Sequence, residues 1–204
     1  MSRTLANQRK YFGKVADDYE TKRADKPKWI QEDLTLKQLL SDWPEGTKII
    51  DCPVGTGRFI PYYRQRNFEV VGVDVSHDMV KKARTKVGAD SILFQEGNIL
   101  RLSAQYAAGA FDLAIAIRIM NLIDPKDMVL ALQQLQHVAR RGVIFNLRVN
   151  HPETTHQHPQ DMAEVEKALL PGWWISYNEP IHEHDFRMIA LTKKLDLEKH
   201  DAVD

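Results

Sequence analysis

Two neighbouring segments of this sequence carry the residue types that bind nucleosides in α/β sheets. The first is an apolar strand pattern that ends at Asp51 and is followed by Gly55 and Gly57. The second is the strand pattern 69–73, which is followed directly by Asp74. Glycine lets a turn approach a ligand closely, and free amides at the start of a helix attract carboxylates or phosphates. A carboxylate at the end of the second strand can accept hydrogen bonds from both hydroxyls of a ribose. The pair predicts a nucleoside pocket at one edge of a sheet.

The glycine turn differs from the loops that bind pyrophosphate. In the dinucleotide pattern G-x-G-x-x-G, the third glycine allows close packing of helix on strand, but Ile60 occupies that position here. The lysine of a Walker loop is also missing from the turn. The sequence therefore favours a nucleoside without a pyrophosphate.

The elements that must position these residues follow a regular order. Strand and helix patterns alternate from residue 48 onward, which is typical of a parallel sheet covered by helices. The predicted strands are 48–52, 69–73, 91–94, 112–117 and 143–147, and the predicted helices are 57–66, 76–87, 125–140 and 161–170. For the helix 125–140, Asp124 is the expected N-cap and Gly142 the expected stop signal. A hairpin is predicted from strands at 173–182 and 186–193.

The first 45 residues have a helical and polar pattern. Tyr11, Phe12, Val15 and Tyr19 are spaced to share one helix face. A second helical pattern contains Trp29, and Pro27 suits its first turn. The segment 42–46 contains proline and glycine and ends this region before the first strand.

Four segments in this order resemble the class I S-adenosylmethionine-dependent methyltransferases. Residues 51–58, Asp-Cys-Pro-Val-Gly-Thr-Gly-Arg, resemble the family's first motif, Asp-x-Gly-x-Gly-x-Gly, with Pro53 in place of its first glycine. Residues 71–79 are similar to the second motif, in which the acidic residue holds the ribose and Met79 would flank the adenine. Residues 94–99 resemble the adenine-contacting segment, with Asn98 where aspartate is commoner, and residues 111–118 resemble the fourth strand.

The resemblance implies a fold, a cofactor and a set of binding residues. The fold would be α/β, a Rossmann-like, seven-stranded, mostly parallel sheet with helices on both faces and a C-terminal antiparallel hairpin. The chain would be a single domain, 1–204, in which the N-terminal helical region 1–45 forms a lid, and its cofactor would be S-adenosylmethionine. The implied cofactor-binding residues are Asp51, Gly55, Gly57, Asp74, Val75, Met79, Asn98, Ile99 and Ile117.

The sulfonium of this cofactor already activates the methyl group, so the protein mainly has to align an acceptor and exclude water. A base is needed where the acceptor must lose a proton, and the candidates near the strand ends are Tyr11, Tyr19, His151 and His156. Arg118 is a poor base at neutral pH and is predicted to bind a carboxylate of the substrate or of the methionine. The histidine pairs 156/158 and 182/184 have no cysteine partner, and no metal site is predicted.

Composition restricts the class of protein further. The 204 residues, 43% of them hydrophobic, suffice for the core of one domain. The 28 basic and 28 acidic side chains balance, so no overall field attracts nucleic acid. Cys52 is the single cysteine, and no apolar run approaches the roughly 18 residues that a membrane span needs. With no signal-peptide pattern at the start, these features predict a cytoplasmic protein without a membrane segment.

Three functions are compatible with these features. The first is methyl transfer to a small organic molecule, which the balanced charge and the small lid favour. The second is methylation of nucleic acid or protein on the same fold, although the Asp-Pro-Pro-Tyr signature of base amino-methylating enzymes is missing after the fourth strand. The third is a non-catalytic subunit that binds S-adenosylmethionine, since Pro53 removes an amide donor and no base is evident.

Overall fold

The structure is a computed structural model that describes residues 26–86, 92–149, 152, 154, 157–158, 160–182 and 185–194. Its helices are α1 (Pro27–Leu40), α2 (Ile60–Gln65), α3 (His77–Thr85), α4 (Pro125–Val138) and α5 (Met162–Lys167), with short 3₁₀ turns at Ile99–Ala104 and Met120–Leu122. Its strands are β1 (Lys48–Asp51), β2 (Glu69–Asp74), β3 (Ile92–Glu96), β4 (Phe111–Ala116), β5 (Ala139–Arg148), β6 (Trp173–His182) and β7 (Phe186–Lys193).

The described strands form one sheet in the order β3-β2-β1-β4-β5-β7-β6. Strands β1 to β5 pair in parallel, and β7 runs antiparallel between β5 and β6. This topology confirms the predicted seven-stranded, mostly parallel sheet with a C-terminal hairpin. The strand order reverses between β1 and β4, and such a reversal opens a crevice at the carboxyl ends of the strands. The predicted pocket therefore has a defined place in the fold.

Both faces of the sheet are buried because successive residues of a strand point to opposite sides. In β1, Ile49 packs in the cluster with α1, α2 and α3, whereas Ile50 packs in the cluster with α4. Leu113 and Ala114 of the neighbouring β4 divide in the same way. The central strands are thus held from both sides, which fixes the position of their ends.

The junction of α4 and β5 corrects two predictions. The helix ends at Val138 rather than at residue 140, and β5 begins at once at Ala139. Gly142, predicted to stop the helix, lies inside β5, where a Cβ atom would meet Leu113 at 3.1 Å and the Trp43 ring at 3.2 Å. This glycine therefore serves the close packing of the strand and not a helix end.

The expected side-chain cap of α4 is also wrong. Asp124 occupies the N-cap position, but its side chain makes no capping hydrogen bond. Its Oδ1 instead lies 3.0 Å from His158 Nε2. The carboxylate thus links His158 to the start of α4.

The helix after β1 is shorter than predicted. It begins at Ile60 rather than at Gly57, because Gly57 has φ +75°, outside the right-handed helical region. The hairpin strands β6 and β7 have the predicted bounds, and Pro27 opens α1 as predicted. Within the part of the chain that the structure describes, no helix is long and apolar enough to cross a membrane.

Candidate functional site

A cavity opens at the carboxyl ends of β1, β2 and β4, where the strand order reverses. It encloses about 1030 Å³, its open mouth included. Of the nine residues predicted to bind the cofactor, seven line this cavity, namely Gly55, Asp74, Val75, Met79, Asn98, Ile99 and Ile117. Arg118, predicted to bind substrate, lines it as well, whereas Asp51 and Gly57 do not. The fold thus brings most of the predicted residues to one place.

Asp74 is held in a fixed orientation at the end of β2. Its Oδ2 accepts a hydrogen bond from the amide of Gly55 at 2.9 Å, and its Oδ1 accepts one from the amide of Ser76 at 2.9 Å. Burial raises the pKa of Asp74 to about 6, and the backbone hydrogen bonds oppose this rise. The side chain is therefore mostly ionised at neutral pH and can accept hydrogen bonds from a ligand.

Asp74 is not required as the cap of α3. The hydroxyl of Ser76 performs that role, because it accepts a hydrogen bond from the Met79 amide at 3.3 Å. The carboxylate of Asp74 instead ties the end of β2 to the glycine turn. Its position between the turn and the cavity is consistent with the predicted ribose contact.

The two glycines of the turn serve different purposes. A Cβ on Gly57 would lie 3.1 Å from the Cβ of Ala83, so Gly57 allows α3 to pack closely. A Cβ on Gly55 would meet nothing within 4 Å, and this glycine lines the cavity. The Gly55 amide donates to Asp74 and the Gly57 amide donates to Val54 O at 3.0 Å. Both amides are used within the protein, so Gly55 offers a ligand space rather than a donor.

Asp51 lies behind the cavity wall. It is buried, and its Oδ2 accepts a hydrogen bond from the Tyr63 hydroxyl at 3.1 Å. Burial raises the pKa of Asp51 to about 8, and the hydrogen bond from Tyr63 opposes this rise. The Asp51 carboxyl is therefore mainly protonated and neutral at pH 7, which lowers the free-energy cost of burying it.

Apolar and amide side chains line the cavity beside α3 and the end of β3. Met79 and Ile99 are buried in its wall, and Asn98 follows β3. The Oδ1 of Asn98 accepts a hydrogen bond from the Leu100 amide at 2.9 Å. A carbonyl oxygen has two lone pairs, so Asn98 retains capacity for one further donor.

A network of charged residues that the sequence did not reveal lies between α1 and the ends of β4 and β5. Glu32 of α1 is fully buried, and its Oε1 lies 2.5 Å from Arg58 Nη1 and 2.8 Å from Arg118 Nε. Its Oε2 accepts a hydrogen bond from the side-chain amide of Asn146 on β5. The guanidinium groups of Arg58 and Arg118 lie 4.1 and 4.7 Å from the centroid of the Trp29 ring. These contacts fasten α1 to the ends of β4 and β5.

Two signals in the sequence could have identified this network. Glu32 occupies the same helix face as the buried residues Trp29 and Leu36, where an unpaired carboxylate would be costly. Asn146 is an amide within the apolar run of β5. Each is a polar residue at a position that the hydrophobic pattern buries, which requires a partner elsewhere in the fold.

None of the predicted bases falls within the described part of the chain. These bases are Tyr11, Tyr19, His151 and His156. Among the described residues that line the cavity there is no histidine, tyrosine or lysine. Cys52 lines it, but burial raises the pKa of this thiol well above its ordinary value, which disfavours the thiolate form that acts as a nucleophile.

Comparison with known proteins gives matches in sequence and in structure. Residues 49–142 match the family model of a methyltransferase domain. A probable methyltransferase ltbC of Aspergillus luteorubrus is 30% identical over 146 residues, which cover 61% of this chain and 49% of that protein. A phosphatidylethanolamine N-methyltransferase of Cereibacter sphaeroides is 28% identical over 127 residues, which cover 61% of this chain and 59% of that protein. The chain thus spans about half the length of these curated relatives.

Solved structures show the same fold at low sequence identity. The magnesium protoporphyrin IX methyltransferase of Synechocystis PCC 6803, solved with bound S-adenosylhomocysteine, superposes with a TM-score of 0.77 at 13% identity. The superposition covers 94% of this chain and all of that chain.

Proposed function

We propose that the chain is a class I S-adenosylmethionine-dependent methyltransferase, which transfers the methyl group of S-adenosylmethionine to a small organic molecule. The observation that carries this proposal is the Asp74 carboxylate, which two backbone amides hold at the end of β2 beside the open side of Gly55. A nucleoside that carries an amino acid rather than a pyrophosphate fits this arrangement, since the glycine turn keeps two of its amides for the protein itself.

The lining residues have side chains that suit each part of the cofactor. Asp74 would accept hydrogen bonds from the ribose hydroxyls, and Met79, Asn98 and Ile99 would enclose the adenine. When bound, S-adenosylmethionine supplies a methyl group that its sulfonium has already activated. The apolar side chain of Ile117, at the end of β4, would help exclude water around that group.

The cavity itself supports a small acceptor. Its walls are mainly apolar, and they include the aromatic side chains of Trp29 and Phe59. The relatives named above include enzymes whose names specify phosphatidylethanolamine and magnesium protoporphyrin IX, neither of which is a polymer. The balance of 28 basic and 28 acidic side chains gives no overall attraction for nucleic acid.

We also propose that the N-terminal region 1–45 acts as a lid in a single domain. Its described part, α1, already places Trp29 in the cavity wall. Acceptor proton removal is assigned to water or to the predicted bases Tyr11, Tyr19, His151 and His156, because the described walls hold none. The cytoplasmic location stays a prediction from the sequence.

Transfer of a labelled methyl group tests the proposal directly. The protein is incubated with methyl-labelled S-adenosylmethionine and a cell extract, and the products are divided into small molecules, protein and nucleic acid. We expect label in the small-molecule fraction, and clearly less of it with Asp74→Asn when S-adenosylmethionine is limiting. Label that enters only protein or nucleic acid, or no transfer despite cofactor binding, would overturn the proposed acceptor class.

A further inference from the structure

The backbone at Arg118 has an unusual conformation. Its φ of +63° lies in the left-handed region, which is costly for a residue with a long side chain. Such a conformation persists where the surroundings fix it, and it is concentrated at functional sites. Arg118 directly follows Ile117 at the end of β4 and lines the cavity. The conformation turns the chain at the point where the pocket is formed.

Asn146 fixes this conformation with both ends of its amide. Its Oδ1 accepts a hydrogen bond from the backbone N–H of Arg118 at 2.7 Å, and its amide nitrogen donates to Glu32 Oε2. Glu32 Oε1 in turn accepts a hydrogen bond from Arg118 Nε at 2.8 Å. The three residues thus form a closed ring that holds both the backbone and the side chain of Arg118.

The ring leaves part of the guanidinium without a partner. Nε is engaged by Glu32, whereas Nη2 is buried and has no hydrogen-bond partner among the described residues. The Arg118 side chain still keeps 21% of its surface exposed. A buried donor without a partner is unfavourable, and the terminal nitrogens of arginine match the two oxygens of a carboxylate. We therefore expect a bound small molecule to supply the hydrogen-bond acceptor for this nitrogen.

We propose that Glu32 and Asn146 are positioning residues that hold Arg118 at the cavity wall, where its guanidinium binds a carboxylate of a bound small molecule. The proposal rests on the proposed function, because the carboxylate belongs either to the amino-acid part of the cofactor or to the methyl acceptor. Neither positioning residue needs to touch the ligand. Their effect on binding passes through the orientation of Arg118.

Three variants and a control separate this role from a purely structural one. Asn146→Ala removes the ring, Arg118→Gln removes the proposed ligand contact, and the double variant tests whether the two act together. Gln136→Ala is the control, because Gln136 is also a buried amide and bonds Leu132 O, Ala168 O and Leu170 N on the far side of α4. Arg118 is partly exposed, so Arg118→Gln is expected to fold even if Asn146→Ala does not.

The first comparison uses two nucleosides. Each protein is titrated with S-adenosylmethionine and with decarboxylated S-adenosylmethionine, which lacks only the carboxylate. If the carboxylate is that of the cofactor, Asn146→Ala and Arg118→Gln each weaken S-adenosylmethionine binding by about tenfold or more, as expected for a charge-assisted hydrogen bond. Binding of the decarboxylated form is unchanged. The double variant binds S-adenosylmethionine no more weakly than the single variant with the lower affinity.

The second comparison concerns the acceptor. If the carboxylate belongs to the acceptor, both single variants bind S-adenosylmethionine like the wild type. They then lose about tenfold or more of the labelled small-molecule product that an anion-exchange resin retains, while Gln136→Ala keeps it. If the wild type binds S-adenosylmethionine but labels no small molecule, the proposed function fails, and the nucleoside comparison alone decides the role of the ring.

Four results would overturn the inference. The first is an equal loss of affinity for both nucleosides in the variants, and the second is the same loss in Gln136→Ala, since either shows a structural effect. The third is unchanged nucleoside binding together with unchanged or absent retained product. Additive losses in the double variant would also contradict action through Arg118.

Discussion

At the scale of single residues, two aspartates at the ends of adjacent strands have different surroundings and different charges. Asp51, at the end of β1, is fully enclosed, and its pKa is raised to about 8 by burial. Asp74, at the end of β2, receives two backbone amides, and its pKa is raised only to about 6. At neutral pH the first is mainly a neutral hydrogen-bonding group and the second a charged acceptor.

Asp51 makes the stability of the fold depend on pH. Its folded-state pKa of about 8 exceeds the ordinary value of 3.8, so its contribution is fully present below about pH 4 and is lost as the pH rises through 8. We expect Asp51→Asn to remove this loss. Between about pH 5 and pH 8, the melting temperature of the wild type should fall by several degrees more than that of the variant, at roughly 2–4 °C per kcal/mol. If the melting temperatures of the two proteins changed equally with pH, the raised pKa of Asp51 would be contradicted.

The proposed ribose contact of Asp74 predicts that cofactor binding depends on pH in the opposite direction. The ionised carboxylate is the better acceptor, and protonation increases as the pH falls through about 6. Affinity for S-adenosylhomocysteine should therefore drop by about tenfold between roughly pH 7 and pH 5. Calorimetric titration at each pH measures this, and Asp74→Asn should flatten the profile. A profile that Asp74→Asn leaves unchanged would show that another group is responsible.

At the scale of secondary-structure elements, the α4–β5 junction explains why element boundaries are harder to predict than element types. The helical pattern of 125–140 and the apolar run of 143–147 are both evident in the sequence. The connection is so short that the strand begins at Ala139, and Gly142 lies within it. The reason for this glycine is the Trp43 ring, which is remote in sequence and visible only once the sheet has formed.

The role of Gly142 can be tested by adding one methyl group. In Gly142→Ala the new Cβ would lie 3.1 Å from Leu113 and 3.2 Å from Trp43, so a side chain has to move. Overpacking of this kind costs roughly 1–3 kcal/mol. The melting temperature should fall accordingly, and it should fall less when the same change is made in a Trp43→Leu background. An equal loss in both backgrounds would refute the packing explanation.

At the scale of the whole molecule, the sequence predicted the sheet and the place of the cavity, and seven of the nine predicted cofactor residues line it, but the charged network was not predicted. Gly55, Asp74, Met79 and Asn98 lie at strand ends or within a few residues of them, so local sequence patterns suffice to place them. Glu32 lies in α1, Arg118 in the turn after β4 and Asn146 in β5, and their contacts depend on the strand order. A single buried polar residue shows that a partner exists but not which one.

Among the described residues, the wall of this cavity is assembled from the ends of β1 to β4 and the start of α1. Asp74 is the group at which the turn after β1, the end of β2 and the cavity meet. Its predicted contact with the ribose hydroxyls is therefore the central claim about this site. A matched control is available in Asp112, a buried aspartate at the opposite end of β4, which accepts hydrogen bonds from the Lys48 amide and from Arg140.

Calorimetric titration of Asp74→Asn and Asp112→Asn with S-adenosylhomocysteine tests this claim most directly. We predict that Asp74→Asn weakens binding by about 1–3 kcal/mol, because the ribose hydroxyls lose a charged acceptor. Asp112→Asn should bind like the wild type at a temperature where all three proteins are folded. Wild-type affinity in folded Asp74→Asn, or an equal loss in Asp112→Asn, would contradict the account.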